Sequence, residues 1–379
     1  MDYKFSIPCL FGLESLIADE MKQLDFKNIQ SENGRVGFTG GASAIARANI
    51  NCRFGERVLI EIGGFRAETF DQLFEGVKAL PWENFITADG SFPIKGSSRA
   101  SKLHSIPDCQ AIVKKAIVER LKGVYNIEWF EETSPKYQVQ FMLAKDIATL
   151  YIDTTGPGLH KRGYRSSAVA APLRETLAAA LVKLSRWRGD RMLVDPFCGS
   201  GTIPIEAAMI AGNVAPGLFR RFAAQKWENI PASIWADELD LAKDKVMPTG
   251  QIIFASDLNP ASVALAEDNA RKAGVASLIE FSVADALELD LSACAEQGGY
   301  LVSNPPYGER ISDVKEVDEL YRAFAAHLKQ YPSLKTFILS NHADFENIFS
   351  RADRRRKLYN GMIICNLYSY FGRTGTGQK

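Results

Sequence analysis

The stretch Met192-Leu193-Val194-Asp195-Pro196-Phe197-Cys198-Gly199-Ser200-Gly201-Thr202 decides the fold. A short apolar run enters a glycine-rich turn, and Ile203 to Ala211 then has the composition of a helix. Strand, turn and helix in that order form the first βα unit of a doubly wound α/β sheet, whose ligands bind beyond the carboxyl ends of the strands. The glycines let backbone approach a ligand closely. A nicotinamide-cofactor fingerprint needs a third glycine three residues after Gly201, where Pro204 stands, so a dinucleotide is disfavoured. Further on, Ile252-Ile253-Phe254-Ala255-Ser256-Asp257 is a strand ending in a carboxylate, the residue type that holds ribose hydroxyls in such sheets. Phe281-Ser282-Val283-Ala284-Asp285 ends in the same way.

A second motif, Asn304-Pro305-Pro306-Tyr307 followed by Gly308, sits after the apolar strand Tyr300 to Ser303. It carries the groups needed to hold an amine on a flat ring. The lone pair of such an amine is delocalised into the ring, so the nitrogen is a poor nucleophile until it is positioned. The Asn304 side-chain carbonyl and the Pro305 backbone carbonyl can each accept one N–H, and Tyr307 can stack on the base. Pro305 and Pro306 fix two φ angles and remove two donors. An ordinary Pro-Pro turn is the competing account, and the upstream glycine turn weighs against it. Asp195, Asp257 and Asp285 at three strand ends suit a ligand with an amino group, a ribose and an adenine amine, and S-adenosylmethionine has all three.

Residues 160 to 379 resemble a class I S-adenosylmethionine-dependent methyltransferase of the N-methylating kind, on the strength of the DPFCGSGT and NPPYG strings together. The resemblance implies a Rossmann-like seven-stranded sheet closed by an antiparallel hairpin. It assigns Asp195, Pro196, Phe197, Cys198, Gly199, Ser200, Gly201 and Thr202 to the cofactor loop. It gives Asp257, with Asn259 beside it, to the ribose, and Asp285, with Ala286, to the adenine; Asn304, Pro305, Pro306 and Tyr307 hold the target nitrogen. Lys335 to Ser340 is a further strand, and Lys357 to Ile364 carries Asn360-Gly361, a strong short hairpin signal. One departure stands out: 62 positions separate Asp195 from Asp257, where about 20 is usual in related nucleotide folds. Residues 213–250 form the insertion responsible, either a packed excursion or a substrate element. Only 72 residues follow Tyr307, and the sheet uses most of them, so substrate choice is expected from the first 155 residues or the insertion.

The chain has 379 residues with 46% hydrophobic and 24% charged, which predicts two or three ordinary globular domains. Zero net charge argues against a polybasic protein while allowing local basic patches. Six scattered cysteines without a CxxC pair and four histidines without HExxH support neither a zinc site nor a disulfide framework, so no metal is expected. Cys198 reads as a small packing residue rather than a nucleophile. The charged amino terminus lacks a signal-peptide core, and no run of about 18 apolar residues suggests a membrane span. A cytoplasmic location is expected, and nothing in the sequence speaks to oligomeric state.

The amino-terminal half reads in two α+β pieces. Residues 3–9 (strand), 12–24 (helix), 28–39 (hairpin turning at Asn33-Gly34), 43–54 (helix) and 57–62 (strand) give βαββαβ, a ferredoxin-like order over 1–65. Residues 66–155 add a helix near 70–79, a strand at Phe92-Pro93-Ile94-Lys95, a helix from Asp108 to Leu121 preceded by a capping-box pattern at Ser105, and strands at 137–143 and 148–153. This order resembles a THUMP domain, an RNA-binding module found ahead of RNA-modifying enzymes. From Lys95 to Lys122, seven basic residues face two acids. Arg99, Lys102, Lys114 and Lys115 are candidates for phosphate contact, a solvated helix face being the alternative. The linker 156–170 contains Lys161, Arg162, Tyr164 and Arg165, which could line an entrance, touch the cofactor or bind RNA phosphate, a plain basic linker being the alternative, and Arg351 to Lys357 is either a solvated helix end or another RNA contact. A methyltransferase domain over 171–379 completes the chain.

As a whole the chain is similar to the THUMP-domain methyltransferases of the YpsC/RlmL type, which implies RNA as partner and N2 of a guanine in 23S ribosomal RNA as target. A transfer RNA guanine-N2 methyltransferase, an adenine-N6 methyltransferase of DNA or RNA, and a non-enzymatic ribosome-assembly factor are the alternatives.

Overall fold

The computed structural model describes residues 2–165, 173–250, 253–307 and 311–372, and within them the chain forms two compact units. Gly308, part of the second motif, lies outside the described residues.

The first unit comprises Met1–Cys9, Glu14–Leu159 and Arg220–Leu241. Its strands are β1 (Tyr3–Pro8), β2 (Lys27–Glu32), β3 (Arg35–Gly40), β4 (Leu59–Arg66), β5 (Gly90–Ser91), β6 (Ile94–Arg99), β7 (Ser134–Lys136), β8 (Gln138–Ala144) and β9 (Ile147–Asp153). The first four, with helices Glu14–Gln23 and Ser43–Asn51, follow the ferredoxin-like order. The β2–β3 hairpin turns at Asn33-Gly34, Gly34 taking φ 78°. The two pieces read separately from the sequence share one seven-stranded sheet, ordered β2-β3-β1-β4-β9-β8-β6. The join is the antiparallel β4–β9 pair, in which Leu59 faces Asp153 and Arg66 faces Ile147. Strand pairing across such sequence distances leaves no local signature.

Three local expectations are corrected here. Ser105 precedes helix Ile106–Tyr125 but its side chain makes no capping bond; Pro107 occupies the first turn, where a missing N–H costs nothing. Residues 220–241 leave the methyltransferase domain in which the insertion was placed and pack into the first unit. Trp227 is fully buried there, its ring 4.9 Å from Tyr137 and its Nε1 donating to the Lys136 carbonyl at 3.2 Å. Arg47 makes a forked ion pair with Glu238, Nε and Nη2 both reaching Oε1. The third correction concerns Arg351 to Lys357: Arg354–Lys357 belong to a strand of the second unit, not to a helix end.

The second unit comprises Leu10–Leu13, His160–Phe219 and Ala242–Lys379. Its strands are β10 (Leu193–Asp195), β11 (Ile253–Asp257), β12 (Ile279–Val283), β13 (Tyr300–Ser303), β14 (Lys335–Ser340), β15 (Arg354–Asn360) and β16 (Ile363–Tyr370). They form a seven-stranded sheet ordered β12-β11-β10-β13-β14-β16-β15, parallel except for β16, which runs antiparallel to both neighbours. The order reverses at β10, which places the ligand crevice at its carboxyl end. In the closing hairpin Asn360 pairs with Ile363, so the two-residue turn is Gly361-Met362, with Gly361 at φ 64°. The turn therefore sits one residue later than the Asn-Gly signal suggests.

Helix Ile311–Leu328 shows why this sheet is covered. Val317, Tyr321, Phe324 and Leu328 recur at helical spacing and pack with Leu301, Ile338 and Tyr368 of the sheet. No helix among the described residues is long and apolar enough to cross a membrane.

Candidate active site

The glycine-rich loop after β10 is held by hydrogen bonds to the end of the adjacent strand β11. The Cys198 N–H donates to the Ser256 carbonyl and the Gly199 N–H to Asp257 Oδ2, both at 2.9 Å. Asp257 Oδ1 accepts from Asn259 N at 3.0 Å, and Asn259 in turn caps helix Pro260–Lys272 through Ala261 N at 2.9 Å. The turn closes by Gly201 N–H to the Cys198 carbonyl, and Asn269 Nδ2 holds the Ser200 carbonyl. Gly199 (φ 52°) and Gly201 (φ 81°) both take the left-handed region, but for different ends. A Cβ on Gly201 would come 2.9 Å from Ala266 Cβ, so this glycine lets two helices approach. A Cβ on Gly199 would meet nothing within 4 Å, so that face of the loop is open.

Asp195 is 1% exposed. Its Oδ1 accepts from Phe197 N at 3.2 Å and from Ser303 Oγ at 2.6 Å. Burial raises its carboxyl from 3.8 to about 7, opposed by those two hydrogen bonds and reinforced by the nearby Asp257 charge. The Cys198 thiol is pushed far up by burial, with Asp195 and Asp257 adding to the shift, so it stays protonated. Asp285 gives one carboxylate oxygen to Leu287 N at 2.9 Å, and Ala286 after it is buried. Leu258 is 70% exposed and Val283 53% exposed, two apolar side chains at the carboxyl ends of the adjacent strands β11 and β12.

The second motif follows β13, which pairs in parallel with β10. Ser303, the last residue of β13, thus bonds the acid that opens the glycine-rich loop. Tyr307 is half-buried and its hydroxyl donates to Asn304 Oδ1. Burial raises the Tyr307 phenol far above its ordinary value, which keeps it a donor. The turn is held from behind by Tyr321, whose hydroxyl donates to the Pro306 carbonyl at 2.8 Å and lies 3.2 Å from Ser340 Oγ. Burial moves the Tyr321 phenol up to about 12.

Ser303 and Tyr321 escape a sequence reading. Ser303 could have been found as a polar residue ending a buried strand, but Tyr321 has no local signal beyond helical spacing. The linker candidates are corrected. Arg162 is 2% exposed and ion-paired with Glu206 (Nε to Oε1 3.3 Å), and the buried Tyr164 hydroxyl also points to Glu206, at 3.4 Å. These two residues are walls of the second unit, not RNA contacts. Arg165 binds the Thr202 hydroxyl and the Leu173 carbonyl and pairs with Glu175, so it buttresses the end of the glycine-rich loop; Lys161 remains exposed.

The basic stretch of the first unit is largely neutralised. Lys102 is paired with Glu68, Lys114 with Glu132, Arg120 with Glu83, and Lys122 lies 3.9 Å from Glu128. Lys115 stands over the Phe74 ring, and Arg99 is exposed.

A family profile for the RMKL-like methyltransferase domain matches residues 162–369, and profiles for the RlmL ferredoxin-like domain and the THUMP domain match 4–59 and 67–153. The chain belongs to the RMKL-like methyltransferase family. It is 42% identical to the putative RNA methyltransferase YpsC of Bacillus subtilis, over 97% of this chain and 96% of that one. It is 35% identical to the ribosomal RNA large subunit methyltransferase K/L of Psychromonas ingrahamii over 97% of this chain, spanning 50% of that relative. The solved structure of SMU.472, a putative methyltransferase complexed with SAH, superposes with a TM-score of 0.92 at 38% identity, covering 98% of this chain and 99% of that one.

This RMKL-like chain is an S-adenosylmethionine-dependent methyltransferase. Its residues fit that cofactor. The open face at Gly199 admits a ligand against backbone, Asp257 at the end of β11 bonds the Gly199 N–H, and Asp285 follows the adjacent strand β12 by two residues.

Proposed function

We propose that this chain methylates the exocyclic N2 of a guanine in RNA, with 23S ribosomal RNA as the polymer. The relatives named for RNA and for large-subunit ribosomal RNA, together with the THUMP match, support the polymer. The observation that carries the chemistry is the Ser303–Asp195 hydrogen bond, which fixes the amine-holding turn beside the cofactor loop. Asp257 holds the ribose and Asp285 the adenine amine, with Leu258 and Val283 as apolar walls.

S-adenosylmethionine supplies an electrophilic methyl group on a sulfonium. Asn304 Oδ1 accepts one N–H of the guanine amine with the lone pair not used by Tyr307, and the Pro305 carbonyl accepts the other. As the N–C bond forms the methyl–sulfur bond would break, its electron pair staying on the departing thioether sulfur, and the positive charge that grows on the nitrogen is stabilised by both acceptors. The proton then leaves to solvent, since a protonated aryl amine is strongly acidic, so no buried base is needed. The Tyr307 ring stacks on the purine, worth roughly 1 to 3 kcal/mol, against the few kcal/mol that unstacking a base costs.

Labelled cofactor incubated with undermethylated ribosomal, transfer and genomic substrates, followed by nucleoside mass spectrometry, tests this. N2-methylguanine in ribosomal RNA is expected. N6-methyladenine instead would overturn the assignment of the base, and label in transfer RNA alone that of the polymer. Asn304→Ala should bind cofactor normally and lose transfer; wild-type turnover in that variant would remove the role given to Asn304.

A further inference from the structure

The first unit holds an open groove of about 1030 Å³ that no sequence motif announces. Its walls come from β4's approach, β6, the β7–β8 segment, the end of β9 and residues 221–226 of the insertion. Five cations line it, Arg57, Lys95, Lys136, Arg221 and Lys226, against one carboxylate, Asp153. That carboxylate is already satisfied by Arg57, by Gln140 Nε2 at 3.3 Å and by Thr155 N at 2.9 Å. Lys95, Lys136, Arg221 and Lys226 are exposed, and none has an ion-pair partner among the described residues. They contrast with the helix Ile106–Tyr125 region, where Lys114, Arg120 and Lys122 each meet a glutamate. Four unpaired cations held along one concavity maintain a positive potential that water alone must screen.

The lining also says what kind of anion fits. Phe222 is the groove's aromatic residue and it is buried, stacked on Trp235 at 5.4 Å. With no exposed ring to take a base face, the groove can grip charge but cannot read bases by stacking. A succession of lysine and arginine heads along an open channel matches a run of phosphates rather than a single one.

We infer that this groove binds the phosphodiester backbone of the RNA substrate, with Lys95, Lys136, Arg221 and Lys226 as its phosphate contacts. The insertion thereby serves as half of an RNA-binding surface whose other half is the sheet of the first unit. The inference rests on RNA being the polymer.

Fluorescence anisotropy of a labelled single-stranded oligouridine, titrated with the full chain without cofactor over a range of potassium chloride concentrations, tests it. Replacing Lys136, Arg221 and Lys226 together by alanine removes three phosphate contacts. At about 0.7 in log K per log salt for each, the slope should fall by about 2, and affinity at about 0.1 M salt by roughly a hundredfold. The pair Lys115→Ala and Lys122→Ala should change both far less. A wild-type slope and affinity in the groove variant would overturn the inference. Should that variant fold poorly, ultraviolet crosslinking of the unaltered chain decides: crosslinked peptides containing 133–138 and 221–226 support the groove, and crosslinks confined to other segments refute it. Because neither measurement involves methyl transfer, groove binding with no guanine methylation would overturn the proposed reaction alone.

Discussion

Replacing Asp195 by asparagine removes a buried charge while keeping the shape and the acceptor that serves Ser303 and Phe197. The folded carboxyl titrates near 7 where an unfolded aspartate titrates near 3.8. Between those values the folded state binds more protons than the unfolded state, so the wild type loses stability as pH rises through this window and the loss is complete above it. The displacement corresponds to roughly 4 kcal/mol at full ionisation, at 1.36 kcal/mol per pH unit. Of this, roughly 2 to 3 kcal/mol accrues between about pH 5 and pH 8. The asparagine has no such term. Thermal unfolding of both proteins without cofactor, across that range, should therefore show the variant gaining on the wild type by about 5 to 10 °C, at 2 to 4 °C per kcal/mol for a unit of this size. Titrating groups that do not interact with Asp195 cancel in the difference. A gap between the two melting temperatures that does not change with pH would refute the claim that Asp195 is held protonated by burial.

Tyr321→Phe deletes the 2.8 Å bond to the Pro306 carbonyl; a net hydrogen bond of about 1 kcal/mol predicts a kcat lowered roughly fivefold with cofactor affinity kept, and an unchanged kcat would show that the turn needs no such support. Asp257→Ala removes both the partner of the Gly199 N–H and the acceptor for Asn259 N, so calorimetry should show cofactor binding weakened at least tenfold, or about 1.4 kcal/mol; equal affinity would count against the ribose assignment. Gly201→Ala brings a methyl to 2.9 Å from Ala266 Cβ at φ 81°, costing about 1 to 3 kcal/mol, which a melting curve should register as a clear fall.

The methyltransferase sheet was legible because its signals are contiguous: an apolar strand, a glycine turn and a helix follow one another at 192–211, Asp257 ends its own strand, and Asp285 comes two residues after β12 stops at Val283. The ferredoxin-like order was legible for the same reason. What escaped is what depends on residues far apart. The β4–β9 pair joins strands more than eighty residues apart in sequence and turns two pieces into one sheet. Arg162 looked like a free linker cation until Glu206, on the helix after the cofactor loop, proved to bury it. The basic run from 95 to 122 counted its own acids, whereas its ion-pair partners Glu68, Glu83, Glu128 and Glu132 lie outside that window. A charge count along the chain measures composition, and a surface field depends on neighbours in space.

The placement of residues 220–241 has a consequence for how this gene can be cut. The chain passes from one unit to the other five times. A fragment ending at residue 159 would carry the whole seven-stranded sheet of the first unit but not Trp227, Asn229 or Glu238. Tyr137 would lose the Trp227 ring packed against it, the Asn84 carbonyl its donor and Arg47 its carboxylate. The complementary fragment would carry Trp227, Asn229 and Glu238 without the partners they meet in the first unit. The two units are therefore not interchangeable cassettes: a chimaera that swaps the first unit must also transplant residues 220–241, which lie in the midst of the second unit's sequence.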